Sequence, residues 1–305
     1  MAAPAAALEV VASRRRARRR SRRGDLLTYA ALTGWALFVI WPLYWVFTMS
    51  LKRESEVLIR PPKIFNFEPT FDNYAIVLNL ARSGLATNAG AARSDFPAYF
   101  VNSIIVVGSS ILITVVLGTL AAYALSRYRF VGREPLALLV LIVRMIPLMT
   151  VIMPLYVIYR SWGLYNTYQG LILVYQLIGL PFFIWLMRSH VAAVPTELED
   201  AARVDGCSLR QILWHIIVPL VAPGMVASGI LVFIYMWNNF IFGLLLGGTE
   251  IQPVTVGILN YLGYDQLQYT RMAAASVICI TPEIIAGMFI QRYILKGLSS
   301  GAVKG

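Results

Sequence analysis

The densest group of acidic residues in this 305-residue chain is Glu197, Glu199, Asp200 and Asp205, followed directly by Gly206. Clustered carboxylates can serve general acid–base catalysis or, together with His and Cys, can bind a metal. The two histidines and two cysteines are isolated from one another, so we expect neither a metal site nor a disulfide framework. We interpret the acids instead as the charged face of a short helix that meets another protein.

The sequence holds no motif that would make the chain an enzyme. It has no Gly-x-x-x-x-Gly-Lys-Ser/Thr phosphate loop. No Ser/His/Asp or two-carboxylate arrangement falls in a soluble region, so we assign no catalytic residue and no cofactor to this chain.

Two ionisable residues fall inside long apolar runs, where charges are costly and commonly functional. Arg144 and Glu283 lie in different runs at similar distances, about nine and eight residues, from one predicted membrane face. At about 1.5 Å per residue, both would lie roughly 12–14 Å deep. We therefore hypothesise that they pair or share a polar network, and that Arg144 could favour an anionic solute.

Aromatic and amide side chains in apolar runs could hydrogen-bond and stack with a polar solute that crosses the membrane. Tyr and Trp can also form interfacial belts, but mid-span positions favour the protein interior. The candidate translocation path comprises Arg144, Tyr175, Gln176, Tyr235, Trp237, Asn238, Asn239 and Glu283.

The elements that position these residues are predicted to be membrane helices. The chain is 58% hydrophobic and 13% charged, and its apolar residues occur in long blocks. About 20 apolar residues span a bilayer, and lipid requires each span to be helical. We predict an all-α integral membrane protein with six spans, near 26–48, 98–126, 135–159, 168–187, 216–246 and 272–291, with helix breakers at Pro147, Pro154, Pro219 and Pro223.

The basic residues predict the orientation of the spans. The net charge of +11 comes largely from eight arginines between Arg14 and Arg23. Such a tail beside a first span indicates a cytoplasmic anchor that contacts lipid, rather than a nucleic-acid site. Both termini are then cytoplasmic. The predicted regions are a basic tail (1–25), a transmembrane domain (26–292) with external loops (50–97, 247–270) and a cytoplasmic loop (188–215), and a cytoplasmic C-terminal tail (293–305).

The cytoplasmic loop between spans four and five has a regular local pattern. Pro195 and the first-turn acids predict a helix start, the pair Ala201–Ala202 a small flat surface, and Asp205–Gly206 a turn. A second short helix over Ser208–Trp214 then leads into span five. The loop therefore predicts a helix–turn–helix along the cytoplasmic face, with a surface suited to a protein groove.

This loop resembles that of the integral-membrane subunits of ATP-binding-cassette importers. Their pattern is Glu-Ala-Ala, three residues, Gly, nine residues, Ile, one residue, Leu, Pro. The chain departs from it at Asp200, which replaces Glu with a shorter acid, and at Val218, which replaces Leu. The matching positions are Asp200, Ala201, Ala202, Gly206, Ile216, Val218 and Pro219.

Further stretches resemble the smaller permease of carbohydrate importers of the maltose type, and the resemblance runs from about residue 26 to the end. The arginine tail and residues 83–94 fall outside it. The stretches are Phe71–Tyr74, Asn102–Ser103, Ala121–Ala124, Gly163–Leu164 with Thr167, Trp237–Asn238 and Gly297–Gly305.

The resemblance implies a permease that imports a sugar or sugar derivative by alternating access across a bacterial inner membrane. It implies a second homologous permease, two ATPase subunits that bind ATP and Mg²⁺, and an external solute-binding protein. Residues 193–215 would insert into a groove on one ATPase, and the C-terminal tail would reach toward the ATPase pair. The external loop would contact the binding protein through Gly247, Gly248, Asn260, Tyr261 and Tyr264.

Two other functions stay open from the sequence. A secondary transporter driven by an ion gradient would explain six spans, kinked helices and buried charges, but not the spaced Asp-Ala-Ala…Gly…Pro loop. An importer of a different solute, such as an amino acid or phosphate, would share that loop, but it fits the Trp237–Asn238 and tail matches less well.

Overall fold

The computed structural model describes residues 3–80, 94–263 and 268–301, with side chains between residues 25 and 291 of those ranges. This described part is helical and contains no β-strand. We number the helices α1 (Ala3–Ser50), α2 (Glu54–Val57), α3 (Asp72–Val77), α4 (Phe96–Arg127), α5 (Arg133–Val143), α6 (Leu148–Ser161), α7 (Tyr168–Ala192), α8 (Thr196–Val204), α9 (Leu209–Gln211), α10 (Val218–Trp237), α11 (Ile241–Leu246), α12 (Val254–Gly257) and α13 (Tyr269–Gly301).

Five stretches of the described residues are long and apolar enough to cross a membrane. They lie in α1, in α4, in α7, in the continuous helix that ends with α10, and in α13. The predicted third span is not one helix, because α5 and α6 meet at a bend of 92°. Pro147 immediately precedes α6, and a proline disfavours helical backbone at the residue before it. A sixth crossing exists only if this bent pair is one broken span.

The predicted fifth span is also divided. A continuous helical stretch runs from Leu209 to Trp237, and α11 follows after a short break. In the break, the Asn239 Oδ1 atom accepts the backbone N–H of Phe242 at 3.2 Å. This local bond caps the next helix, so the chain turns where apolarity alone predicted continuation.

The core lies where α4, α7 and α10 pack against one another. Close approach of α4 to α7 depends on Gly118, because a Cβ atom there would lie 2.5 Å from the Phe183 ring. Helix α13 packs against α10 and against α1. By contrast, none of the residues of α5 is buried, so the bent pair lies at the edge of this core.

The segment between α1 and residue 80 is fastened to the start of α13 by polar side chains. Asn73 donates from Nδ2 to the carbonyls of Ser50 (2.9 Å) and Lys52 (2.8 Å) and accepts from the Thr270 hydroxyl (3.0 Å). The Glu54 carboxylate accepts the Thr270 N–H at 3.1 Å, where acidic groups favour a helix N-terminus. The Phe71–Tyr74 stretch therefore has a structural role in joining this segment to the last membrane helix.

Candidate functional site

Helix α8 carries the Asp-Ala-Ala sequence and has one face turned toward the membrane domain. Glu199 is 2% exposed and Ala202 is 7% exposed, whereas Ala201 and Glu197 are exposed. Residues three apart lie on one face of a helix, so Glu199 and Ala202 point inward together. The expectation that all these acids and both alanines form an outward docking face is therefore wrong for Glu199 and Ala202.

Glu199 holds α8 on the end of α4 through a desolvated ion pair with Arg127. We call this ion pair the clamp on α8. The Glu199 carboxylate accepts from Arg127 Nε at 2.5 Å and from the Tyr123 hydroxyl at 2.8 Å. Arg127 also donates to the carbonyl of Val194 at 2.6 Å, just before α8 begins. Because both charged groups are hydrogen-bonded on more than one side, the pair fixes the direction of α8 as well as its position.

The opposite face of α8 is exposed and mixes acids with apolar side chains. Leu198 is 45% exposed and Val204 is 88% exposed. The Asp200 carboxylate lies 3.0 Å from an Arg203 guanidinium nitrogen, so its charge is shared within the helix. Such exposed pairs are weak and easily exchanged for another partner. The outward face of α8 comprises Glu197, Leu198, Asp200, Ala201, Val204 and Asp205.

A tight turn and a continuous helix connect α8 to the membrane core. Gly206 has φ +81°, in the left-handed region that favours glycine, and Ser208 with Gln211 forms a capping box that starts α9. Helix α9 leads through a π-helical segment, Ile212–Ile217, into α10. Pro219 has no N–H for the carbonyl four residues earlier, and a π turn shifts that bond by one residue. The predicted continuity from the turn into the membrane helix is confirmed.

Arg144 lies at the break between α5 and α6 and contacts aromatic rings. Its guanidinium carbon lies 3.7 Å from the Phe182 ring centre and 4.9 Å from the Tyr235 ring centre. No carboxylate of the described residues lies within ion-pair distance of it, so the hypothesis of a direct pair with Glu283 is wrong. Cation–π contacts contribute about 0.5–2 kcal/mol each and offset part of the cost of the charge.

Glu283 on α13 instead lies near Asn238, whose side-chain amide donates to the Ile234 carbonyl at 2.9 Å. Asn238 is exposed and lies three residues after Tyr235, so the two contacts are neighbours on α10. Arg144 and Glu283 therefore approach the same exposed face of α10 without touching. Tyr235 and Asn238 contribute this face from α10 and its C-terminal cap, and Arg144, Phe182 and Glu283 lie against it from neighbouring elements. We call these five residues together the polar face of α10.

The other candidate path residues serve mainly to pack the helices. Tyr175 is 1% exposed and Trp237 is 3% exposed, and the Trp237 indole donates to the Cys279 carbonyl at 3.0 Å. The Gln176 amide accepts from Thr114 at 2.8 Å, which links α7 to α4. Asn239 is 9% exposed and caps α11. These four side chains therefore make contacts inside this chain. Their residue types alone did not indicate that role.

The predicted binding-protein loop is only partly available at the surface. Asn260 is exposed and donates to the Tyr99 hydroxyl at 3.0 Å, whereas Tyr261 is 9% exposed and its hydroxyl lies 2.9 Å from that of Ser94. Gly247 is closely packed, since a Cβ atom there would lie 2.5 Å from a backbone carbonyl oxygen. Gly248 adopts φ +59°. Tyr264 lies outside the described residues.

Asparagine side chains position this loop, and sequence reasoning assigned them no such role. Asn102 donates to the carbonyls of Glu250 (3.1 Å) and Gln252 (3.2 Å), and Asn166 accepts the Glu250 N–H at 3.2 Å. Ser103 accepts the Val254 N–H at 2.8 Å. The one indication in the sequence was that Asn102–Ser103 matches the permease family. That match did not say what the two side chains do.

Comparison with known proteins places this arrangement in a family. Residues 114–300 match the family described as "Binding-protein-dependent transport system inner membrane component". The matched range includes the end of α4, the clamp on α8 and the whole path from Gly206 into α10. The chain belongs to this family. It is a permease component of the inner membrane, and this membership argues against a secondary transporter driven by an ion gradient.

Individual relatives cover nearly the whole chain. The trehalose transport system permease protein SugB of Mycobacterium tuberculosis is 36% identical, over 90% of this chain and 94% of the relative. The trehalose/maltose transport system permease protein MalG of Thermococcus litoralis is 34% identical, over 88% and 93%. A bacterial ABC transporter involved in alginate import gives a TM-score of 0.72 at 23% identity, over 90% and 98%, which supports the fold.

The clamp on this permease makes a testable prediction. Glu199→Gln keeps a hydrogen-bond acceptor but leaves Arg127 buried without its counter-charge, which costs about 3–5 kcal/mol. We expect α8 to detach from α4 more often. Cys207 follows the turn after α8, and the only other cysteine, Cys279, is buried, so thiol labelling reports mainly on this turn. Labelling of Cys207 by a water-soluble maleimide should become at least tenfold faster.

The matched control for this prediction is Glu197→Gln, which removes an exposed acid from the same helix turn. Its labelling rate should equal that of the unmodified permease. Equal rates for the Glu199 and Glu197 variants would show that the ion pair does not hold α8.

Proposed function

We propose that this permease imports a sugar or sugar derivative that an external binding protein delivers and ATPase subunits drive. The observation that carries the proposal is the outward face of α8, which is exposed while the inward face is clamped to the membrane domain. A helix held by one face and free on the other suits insertion into a groove. The named sugar permeases above support the solute class.

In this proposal α8 docks into a groove of one ATPase through contacts of two kinds. Leu198 and Val204 supply exposed apolar surface, and Glu197, Asp200 and Asp205 supply negative charge for a basic rim. Asp200 is shorter than the Glu of the family pattern and already shares its charge with Arg203. Its contribution to docking is therefore smaller than that of a free glutamate.

The proposed assembly contains a second permease, two ATPase subunits with ATP and Mg²⁺, and the external binding protein. The turn at Gly206 and both termini then face the cytoplasm, because arginines concentrate between Arg14 and Arg23 and, as Arg127, Arg129 and Arg133, at the junction of α4 and α5. The loop fixed by Asn102 and Asn166 then faces the binding protein. Of its predicted contacts, Asn260 has the side chain most available at the surface.

The polar face of α10 is the proposed lining of the sugar path on this chain. It combines aromatic rings, a guanidinium, an amide and a carboxylate, which are the groups that bind sugar faces and hydroxyls. In a chain that works alone in lipid, such a face would carry a large desolvation cost. Placed opposite a second permease, the same face can border a polar passage.

The function is tested by uptake into proteoliposomes that contain the co-encoded permease, ATPase and binding protein. Radiolabelled trehalose and maltose should enter only with ATP inside and binding protein outside, with an amino acid and phosphate as negative solutes. Uptake that follows an imposed ion gradient without ATP would refute the proposal. Uptake of the amino acid alone would refute the sugar class while leaving the importer mechanism intact.

The turn after α8 makes a second prediction. Gly206→Val places a β-branched side chain at φ +81°, which costs about 1–3 kcal/mol and distorts the link between α8 and α9. We expect solute-stimulated ATP hydrolysis to fall at least fivefold while membrane insertion is unchanged. Gly163→Val is the matched control, since Gly163 also has positive φ, at +69°, but lies away from α8. Normal stimulated hydrolysis in the Gly206 variant would contradict the docking role.

The polar face of α10 makes a third prediction. Arg144→Gln removes a charged hydrogen-bond donor from the proposed path, and such bonds contribute enough for about a tenfold effect. Sugar uptake should fall by about that factor while the complex still assembles. Arg160→Gln is the control, because Arg160 also lies over two tyrosine rings but at the far end of α6. Unchanged uptake in the Arg144 variant would remove it from the path.

A further inference from the structure

A cavity of about 480 Å³ opens beside the clamp, where α4 ends, α5 begins and α7 approaches its last turns. Arg133 and Arg188 contribute its charged walls, and Trp185 contributes an aromatic wall. None of these residues belongs to the polar face of α10 or to the outward face of α8. On α7, Trp185 and Arg188 are three residues apart and so share one face of the helix.

The cavity carries excess positive charge. Arg133 lies 3.0 Å from the Glu134 carboxylate, and Arg188 lies 3.9 Å from its other oxygen. One carboxylate is therefore shared between two guanidinium groups. The Glu134 side chain is 64% exposed and each arginine side chain is 29% exposed, so the acid lies nearer the solvent than the cations. A more strongly charged anion could take its place inside the cavity.

The donors available to such an anion are guanidinium N–H groups. Ser126 and Ser189 also line the cavity, but their hydroxyls donate to the carbonyls of Arg188 and Leu186. Two guanidinium groups facing one cavity favour a phosphate, because planar N–H pairs match its oxygens. Helix α5 begins here with no side-chain cap, so its positive N-terminal end adds to the same field.

The surroundings of the cavity have the composition of a membrane surface. Trp185 is 54% exposed, and the loop between α4 and α5 exposes Tyr128, Phe130 and Val131 at 44%, 44% and 104%. The same loop carries Arg129, which is exposed. Aromatic side chains beside arginines are typical of the headgroup level of a bilayer. If a lipid placed its phosphate group in this cavity, the acyl chains of that lipid would lie along the exposed apolar side chains of the neighbouring helices.

We propose that this arginine cavity binds the phosphate group of an anionic membrane phospholipid. The proposal is independent of the transported solute and requires only that the loop between α4 and α5 lies at a membrane surface. A bound headgroup would neutralise the excess charge between α5 and α7, next to the ion pair that holds α8. The alternative source of the same chemistry is a soluble phosphate from the cytoplasm.

The test is native mass spectrometry of the complete transporter complex, purified in a neutral detergent and titrated with phosphatidylglycerol or phosphatidylcholine. The complex should retain phosphatidylglycerol in preference to phosphatidylcholine. Arg133→Gln combined with Arg188→Gln should weaken phosphatidylglycerol binding at this site about tenfold or more. The control is Arg129→Gln, which removes an exposed arginine of the same loop that does not line the cavity, and its binding should match that of the unmodified complex.

The variant with Arg133→Lys and Arg188→Lys keeps both charges and should retain the preference for phosphatidylglycerol, even if the glutamine variant does not assemble. Equal phosphatidylglycerol binding in the lysine, glutamine and control variants would overturn the proposal. Retention of inorganic phosphate, with no preference between the two lipids, would assign the cavity to a soluble anion and overturn the lipid source. Loss of the ATPase subunits from the glutamine variant with unchanged lipid binding would make the cavity a protein contact and also overturn it.

Discussion

The buried ion pair between Arg127 and Glu199 is the contact on which the position of α8 in this permease depends. Both side chains are removed from water, with 10% and 2% of their surfaces exposed. Desolvation of two charges is costly, and only close geometry with further hydrogen bonds offsets it. Tyr123 and the Val194 carbonyl provide those bonds, so one arrangement of α8 is strongly favoured. The orientation of the outward face follows from that arrangement.

The sequence predicts the existence of α8 but not which of its acids is buried. Charged residues are seldom fully buried unless they are paired, so the simplest interpretation places every acid in this helix outward. The partner of Glu199 lies 72 residues earlier in the chain, at the end of another helix. Local pattern carries no information about that distance. The match to Asp-Ala-Ala…Gly…Pro singled out this segment of the chain, and only the tertiary structure showed that Glu199, the acid just before the match, binds the permease itself.

For the membrane helices too, the sequence predicted that the elements exist but not where each helix ends. Apolar runs predicted where spans occur, because each run must cross the bilayer as a helix. Proline and asparagine within the runs decide where the helices stop, and averaged apolarity does not register them. The 92° bend near Pro147 and the cap formed by Asn239 both interrupt predicted spans. Arg144 lies at the bend near Pro147, so its contacts with the Phe182 and Tyr235 rings could not be predicted from its depth in the membrane alone.

The fastening of α8 constrains how any movement can pass through the molecule. Helix α8 is bonded to the end of α4, and it is connected through the turn at Gly206 to the helix that continues as α10. Helices α4, α7 and α10 form the packed core, so a displacement of α8 must carry that core as one body. The pair α5 and α6 has few buried side chains and meets the core partly through Arg144, Phe182 and Tyr235. Fewer buried contacts therefore hold this bent pair to the core than hold the core helices to one another, and the polar face of α10 lies at that thinner contact.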